Sequence, residues 1–180
     1  MSGQMADVIV IDGEEWALVE PEPGKLFEPR DHDVFPVTVH SANTRGEFAR
    51  YRLDEDRLLL ADLQVGHDGA PAAINGVEAT SDEHGKVWTY HTLDLPIVWS
   101  GDLVVGAEPI LELYVHAGFA PAWHYARVLA LDIEGGVVES REDRSEEVAE
   151  YRAAETPNDD PNAFERLMRA IRLRLPGFDG

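Results

Sequence analysis

Val8-Ile9-Val10-Ile11-Asp12-Gly13-Glu14-Glu15-Trp16-Ala17-Leu18-Val19 is the stretch on which the fold class turns. Two apolar runs flank Asp12-Gly13, a dipeptide that tolerates the positive φ angles of a type I′ turn. The twist of that turn suits antiparallel strands, so the stretch reads as a β-hairpin. Glu20-Pro21-Glu22-Pro23-Gly24 ends the pairing, because proline has no N–H to give to a ladder. Working outward, the same grammar recurs. Along 46–53, Ala49, Tyr51 and Leu53 alternate with Phe48, Arg50 and Arg52, and Asp54-Glu55-Asp56 supplies a turn. Leu59, Ala61, Leu63 and Val65 then share one face of a returning strand over 57–65. Residues 127–133 and 137–141 make a third hairpin about Glu134-Gly135-Gly136.

Between these hairpins the sequence is less regular. Strands are expected at 86–93 and at 97–105, the second bent at Ser100-Gly101, while 111–117 reads equally as strand or helix. Residues 21–36 and 66–85 read as long loops. The pattern changes at 143–154, which is densely charged and has helical propensity. After a linker at 156–160, Asp160-Pro161 reads as an N-cap and first helical residue. Phe164, Leu167, Met168 and Ile171 follow at helical spacing, up to Pro176-Gly177. The expectation is an α+β protein, mainly antiparallel β (a sheet or a small barrel) with C-terminal helices. A β domain would occupy 1–155. Residues 156–180 would be a linker and an amphipathic, Arg-rich helix docking through Phe164, Leu167, Met168 and Ile171, on its own body or across a homodimer.

Composition narrows the function classes. The chain has 180 residues and no cysteine, which removes disulfides, thiol nucleophiles and zinc–thiolate sites. Fifteen Lys and Arg face 35 Asp and Glu, a net charge of −20 that repels nucleic-acid phosphates and anionic lipid and attracts basic partners. Neither a signal-peptide pattern nor an apolar run near ~18 residues is present, so a cytoplasmic protein is expected, with no nucleic-acid or membrane partner. Only Lys25 and Lys86 are lysines, a bias that genome composition or a saline host would also produce. The last twenty residues reverse the sign. Arg166, Arg169, Arg172 and Arg174 against Glu165 and Asp179 leave +2 there and −22 over residues 1–160.

No Gly-x-Ser-x-Gly elbow, Ser-x-x-Lys pair or phosphate-binding glycine loop occurs. Asp31-His32-Asp33 and four scattered histidines (His84, His91, His116, His124) lack the tight spacing of a metal site. The residues therefore assign no catalytic group, no metal ligand and no cofactor. The feature that does stand out is a concentration of aromatics and histidines: Trp88, Tyr90, His91, Trp99, Tyr114, His116, Trp123 and His124. These read as an aromatic-lined concavity or a protein-binding hot spot. The alternative is that Trp and Tyr fill a small sheet core with their polar tips at its wet edge.

The run Trp99-Ser100-Gly101-Asp102-Leu103, with Leu113-Tyr114-Val115-His116-Ala117-Gly118-Phe119 and Leu129-Ala130-Leu131-Asp132-Ile133-Glu134-Gly135-Gly136-Val137, resembles a segment of a family of uncharacterised bacterial proteins. That family has a small-residue turn after an aromatic, a Tyr-Val-His-x-Gly-aromatic stretch and a hairpin closing on glycine. The resemblance spans residues 46–138, departs at Ala117 and in the long acidic C-terminal extension, and implies a β-fold without an activity. Together these readings point first to a small acidic binding protein of the immunity or inhibitor type that recognises a basic protein partner. A small-molecule-binding β-barrel is the rival, in which His91, His116 or His124 would serve as general acid or base. A structural subunit of a larger assembly is the third reading.

Overall fold

The three hairpins form where the turn chemistry places them. In this computed structural model, which describes residues 3–154, the strands in chain order are β1 (Val8–Ile11), β2 (Glu14–Glu20), β3 (Glu47–Asp54), β4 (Arg57–Gly66), β5 (Thr80–Ser81), β6 (Val87–Tyr90), β7 (Leu95–Pro96), β8 (Gly101–Pro109), β9 (Tyr125–Glu134) and β10 (Val137–Asp143). One helix, α1 (Ser145–Ala154), follows. β1–β2, β3–β4 and β9–β10 are antiparallel neighbours. Asp12 and Gly13 have φ values of 52° and 83°, the left-handed geometry that this dipeptide allows.

The sheet order is β10-β9-β8-β2-β1-β3-β4-β6-β5. β4, ten residues long, divides its second edge among three partners. Residues 63–66 pair with β6, Leu59 and Leu60 with β7, and Arg57 with Val137 of β10. The last pairing closes β4-β3-β1-β2-β8-β9-β10 into a ring. One pairing is parallel: Val8 of β1 lies opposite Arg50 of β3, and Val10 opposite Arg52. Because β2 occupies one edge of β1, the chain crosses back through residues 21–46 to reach the other edge.

Four details differ from the sequence reading. A bulge at Ala61 of β4 shifts the alternation, so that Leu58 and Leu60, rather than Leu59 and Ala61, join Leu63 and Val65 in the core. The strand expected over 86–93 stops at Tyr90, because Thr92 and Asp94 adopt left-handed φ values of 55° and 46°. The strand expected over 97–105 starts only at Gly101. Residues 111–117 are neither strand nor α-helix: Glu108, at φ 56°, and Pro109 end β8, and a 3₁₀ turn at Leu111–Leu113 leads into irregular chain.

Strand alternation sends Ile9, Trp16, Leu18, Tyr51, Leu63, Leu103 and Leu131 into the ring, all buried. The loops close it: Leu26, Phe27 and Val34 from the crossing segment and Ile74 from 66–85 join the same core. Each such side chain favours the folded state by ~1.5–3 kcal/mol before ordering entropy is subtracted. Outside the ring, Val19, Val104, Val128 and Ala130 build a second core with Trp123 and Tyr125, covered by Val148 of α1. Asp143 Oδ1 accepts from the Ser145 N–H at 2.9 Å, capping one of the helix's unpaired first-turn donors. Arg152 fastens the other end, donating to the Trp123 and Tyr125 carbonyls at 2.9 and 2.8 Å. The second expected helix, with Phe164, Leu167, Met168 and Ile171, lies outside the described residues. No described helix is long and apolar enough to cross a membrane.

Candidate functional site

The aromatics and histidines singled out in the sequence do not converge on one concavity. Trp88 and Trp99, half-buried, and Tyr90, fully buried, pack on the ring interior, and Tyr90 Oη donates to the Ala72 carbonyl at 2.5 Å. Trp123 and His124 are buried on the outer side beneath α1, their rings edge-on at 5.9 Å. Burial, with Arg152 nearby, lowers the His124 pKa. Tyr114 and His116 form an exposed edge-to-face pair at 4.9 Å. His91 is exposed, 3.8 Å from Asp62. The Asp31-His32-Asp33 run ends a 3₁₀ turn in which His32 stacks on Phe27 at 5.0 Å. Among the described residues, no three His, Asp or Glu side chains gather as metal ligands would.

The charged groups that do converge come from the parallel pairing. It sets Asp7, just before β1, beside the start of β3. Asp7 is fully buried, and its carboxylate accepts from Ala49 N (2.9 Å), Gly24 N (2.8 Å), Arg45 Nη2 (3.0 Å) and Arg45 Nη1 (3.3 Å). Four donors fill the lone pairs of a carboxylate withdrawn from water, which is what a buried charge requires. Arg45 also donates to the Met5 carbonyl at 3.3 Å, and its guanidinium carbon lies 5.6 Å from the centre of the Phe119 ring.

Glu47 opens β3 and alternates onto the same side as Ala49 and Tyr51. Its side chain is 12% exposed and stands 3.6 Å from Arg45 Nη1, ion-pair range but beyond a hydrogen bond. Burial is the largest influence on it and raises its pKa from 4.5 to about 7. Arg45 opposes the rise, Asp7 and Glu28 add to it, and Arg30 opposes it. Below it on β3, Tyr51 is fully buried with an unpartnered hydroxyl, and burial, Asp7 and Glu47 push its phenol well above the usual range.

Of these groups, Arg45 and Glu47 floor a cleft of about 470 Å³ walled by the crossing segment, with Glu22, Lys25, Arg30, Thr38 and Thr44 around them. The wall is held by hydrogen bonds: Thr38 Oγ1 donates to the Thr44 carbonyl (2.7 Å), and Thr44 N and Oγ1 donate to Gln4 Oε1 (3.1 and 2.8 Å). Val37 N donates to the Gly66 carbonyl at 2.8 Å, an approach so close that a Cβ on Gly66 would stand 2.2 Å from the Val37 oxygen. Arg30 pairs with Glu28 at 3.4 Å on the exposed rim. Lys25 is exposed and has no carboxylate within ion-pair distance among the described residues. Across Glu22 and Pro23, a second, apolar concavity of about 370 Å³ is lined by Val19, Phe119, Ala120, Pro121 and Trp123. A further concavity of about 420 Å³ lies beside Trp16, but its cations are engaged, Arg127 with Glu14 and Glu108 and Arg141 with Asp12 and Asp56.

Of the residues picked from the sequence, Trp123 alone lines this pair of concavities. Asp7, Arg45 and Glu47 were missed because they are ordinary charged residues far apart in the chain, Asp7 and Arg45 being separated by 38 positions. The one available signal was Lys25 in a long loop with no periodicity of its own, since such loops tend to carry function. No protein-family model, no curated protein and no solved structure matches the chain. Chemically, the arrangement offers two cations at a mouth, an apolar shelf beyond Pro23, and a carboxyl that changes its charge near neutral pH.

Proposed function

We propose that the protein binds a small organic anion at the mouth of the ring. A carboxylate or phosphate group sits against Lys25 and Arg30, and the apolar body of the ligand lies over Pro23 towards Phe119 and Trp123. The observation that carries this reading is the placing of Lys25 and Arg30 at a ligand-sized concavity in a chain of net charge −20. Both volumes fall within the ~300–1,000 Å³ of small-molecule sites. The aromatic hot-spot reading has less support, because Trp88, Tyr90 and Trp99 pack on the ring core. The test is an NMR titration with aromatic carboxylates. Perturbation of Lys25, Thr44 and Arg45 resonances is expected, with binding at least tenfold weaker in a Lys25→Ala, Arg30→Ala double variant. Perturbations confined to other surfaces would overturn the reading.

The acidic surface favours a second reading, a binding protein of the immunity or inhibitor type that recognises a basic protein. Its support is the −22 carried by residues 1–160. Carboxylates would steer association, so the on-rate should fall steeply as the Debye length shrinks from ~10 Å at 0.1 M salt to ~3 Å at 1 M. A complex that forms at a salt-independent rate counts against it.

A further inference from the structure

Asp7 and Glu47 share one guanidinium unequally. Asp7 takes both Arg45 nitrogens and two backbone N–H groups, leaving Glu47 at 3.6 Å with no hydrogen bond to its carboxyl among the described residues. The charged groups around Glu47 are Arg45 from the turn before β3, Asp7 from the segment before β1, and Glu28 and Arg30 from the 3₁₀ turn. Glu22 and Lys25 line the same cleft, and Tyr51 adds a phenol from β3. Three cations thus face three carboxylates other than Glu47, so the charge state of Glu47 decides how an incoming anion is received.

Resting on the cleft reading above, we infer that the ligand is taken up together with a proton. The anion binds with Glu47 in its acid form, and Glu47 donates its O–H to the ligand while Lys25 and Arg30 hold the charge. Ionised, Glu47 would set a carboxylate against the ligand's own charge in a site only partly open to water, where repulsion is weakly screened. Its titration near 7 places the change within the physiological range. The balance is simple. Above that midpoint one proton comes from solvent with each ligand bound and returns when the ligand leaves, and no bond within the ligand is broken. Linkage then requires affinity to fall towards tenfold per pH unit above the midpoint.

The experiment uses the full chain with benzoate and phenylacetate, which stay ionised from about pH 6 to 9. NMR gives the Kd at each pH, and calorimetry in two buffers of different ionisation enthalpy counts protons. The expected result is log Kd rising with a slope approaching one above pH 7, with proton uptake. Glu47→Gln should bind at the acid-limit affinity throughout, with no uptake. Should that variant fail to fold, the ¹³C carboxyl shift of Glu47 in the unaltered protein replaces it, and its midpoint should move upwards at saturation. Binding at the cleft that is flat with pH, or a midpoint that does not move, overturns proton uptake and leaves the cleft reading standing. If neither probe shifts cleft resonances at any pH, both fall together.

Discussion

β1 and β3 lie side by side and parallel, with acidic residues at both ends. At their N-terminal ends, Asp7 is fully buried and Glu47 nearly so, and the two compete for Arg45. Just past the other ends, Asp12 and Asp56 flank Arg141 at 3.3 and 3.1 Å, with side chains 84% and 62% exposed. Both are Asp–Arg contacts of similar length. Water separates them. At the open end it screens the pair and solvates each partner alone, so the contact adds ~0–1 kcal/mol. At the closed end Asp7 cannot return to water without unfolding and Arg45 meets water only at the cleft floor, so removing one partner leaves the other poorly compensated. The buried arrangement is thus the costlier one to break, and it is where a carboxyl is left under-supplied with donors.

The most severe way to test this contrast is Asp7→Ala. It removes the one carboxylate that Arg45 hydrogen-bonds, leaving Glu47 in ion-pair range at 3.6 Å, and leaves Gly24 N and Ala49 N without acceptors. A loss of about 3–5 kcal/mol is expected in urea unfolding at unchanged m-value. A loss below about 1 kcal/mol would make the two ends equivalent.

Glu47→Gln sharpens the comparison through pH. The folded state holds the Glu47 proton up to about 7, whereas the ordinary carboxyl releases it at 4.5. The associated stability is therefore full below 4.5 and is lost as the pH rises through about 7. On the order of 1–3 kcal/mol of the decline across that window should disappear in the variant. Identical pH–stability curves for the two proteins would show that Glu47 titrates as an exposed group.

Arg141→Ala should have the smallest effect, at most about 1 kcal/mol, and high salt should erase it. An effect near that of Asp7→Ala would mean that tying the β1–β2 and β3–β4 turns together matters as much as burial.

Much of the sheet was legible because its signals are local. Asp12-Gly13, Glu55-Asp56 and Gly135-Gly136 sit between residues only a few positions apart, and turn chemistry acts at that range. Alternation acts at the same short range in β6, where Trp88 and Tyr90 pack on the core, while His91, just past its end, is exposed. The grouping of the aromatics was not legible. Proximity in sequence placed Trp99, Tyr114 and Trp123 together, but the excursion after β8 carries Tyr114 into solvent while a 3₁₀ turn returns Trp123 to the outer core.

By itself, then, the sequence determined the class of fold, three hairpins, the helical character of 145–154 and the acidity of the surface. Each of these depends on composition, or on residues close enough to interact before the chain collapses. Only the tertiary structure decided that β3 lies parallel to β1, and with it that Asp7, Arg45 and Glu47 meet beneath Lys25 and Arg30. No residue marks a parallel register between strands some forty positions apart. It is selected when the crossing segment, the ring closure at Val137 and Arg57, and the burial of Tyr51 and Ile9 are satisfied together. The shift of Glu47 follows from that arrangement, because desolvation is a property of the assembled cleft and is absent from the strand alone.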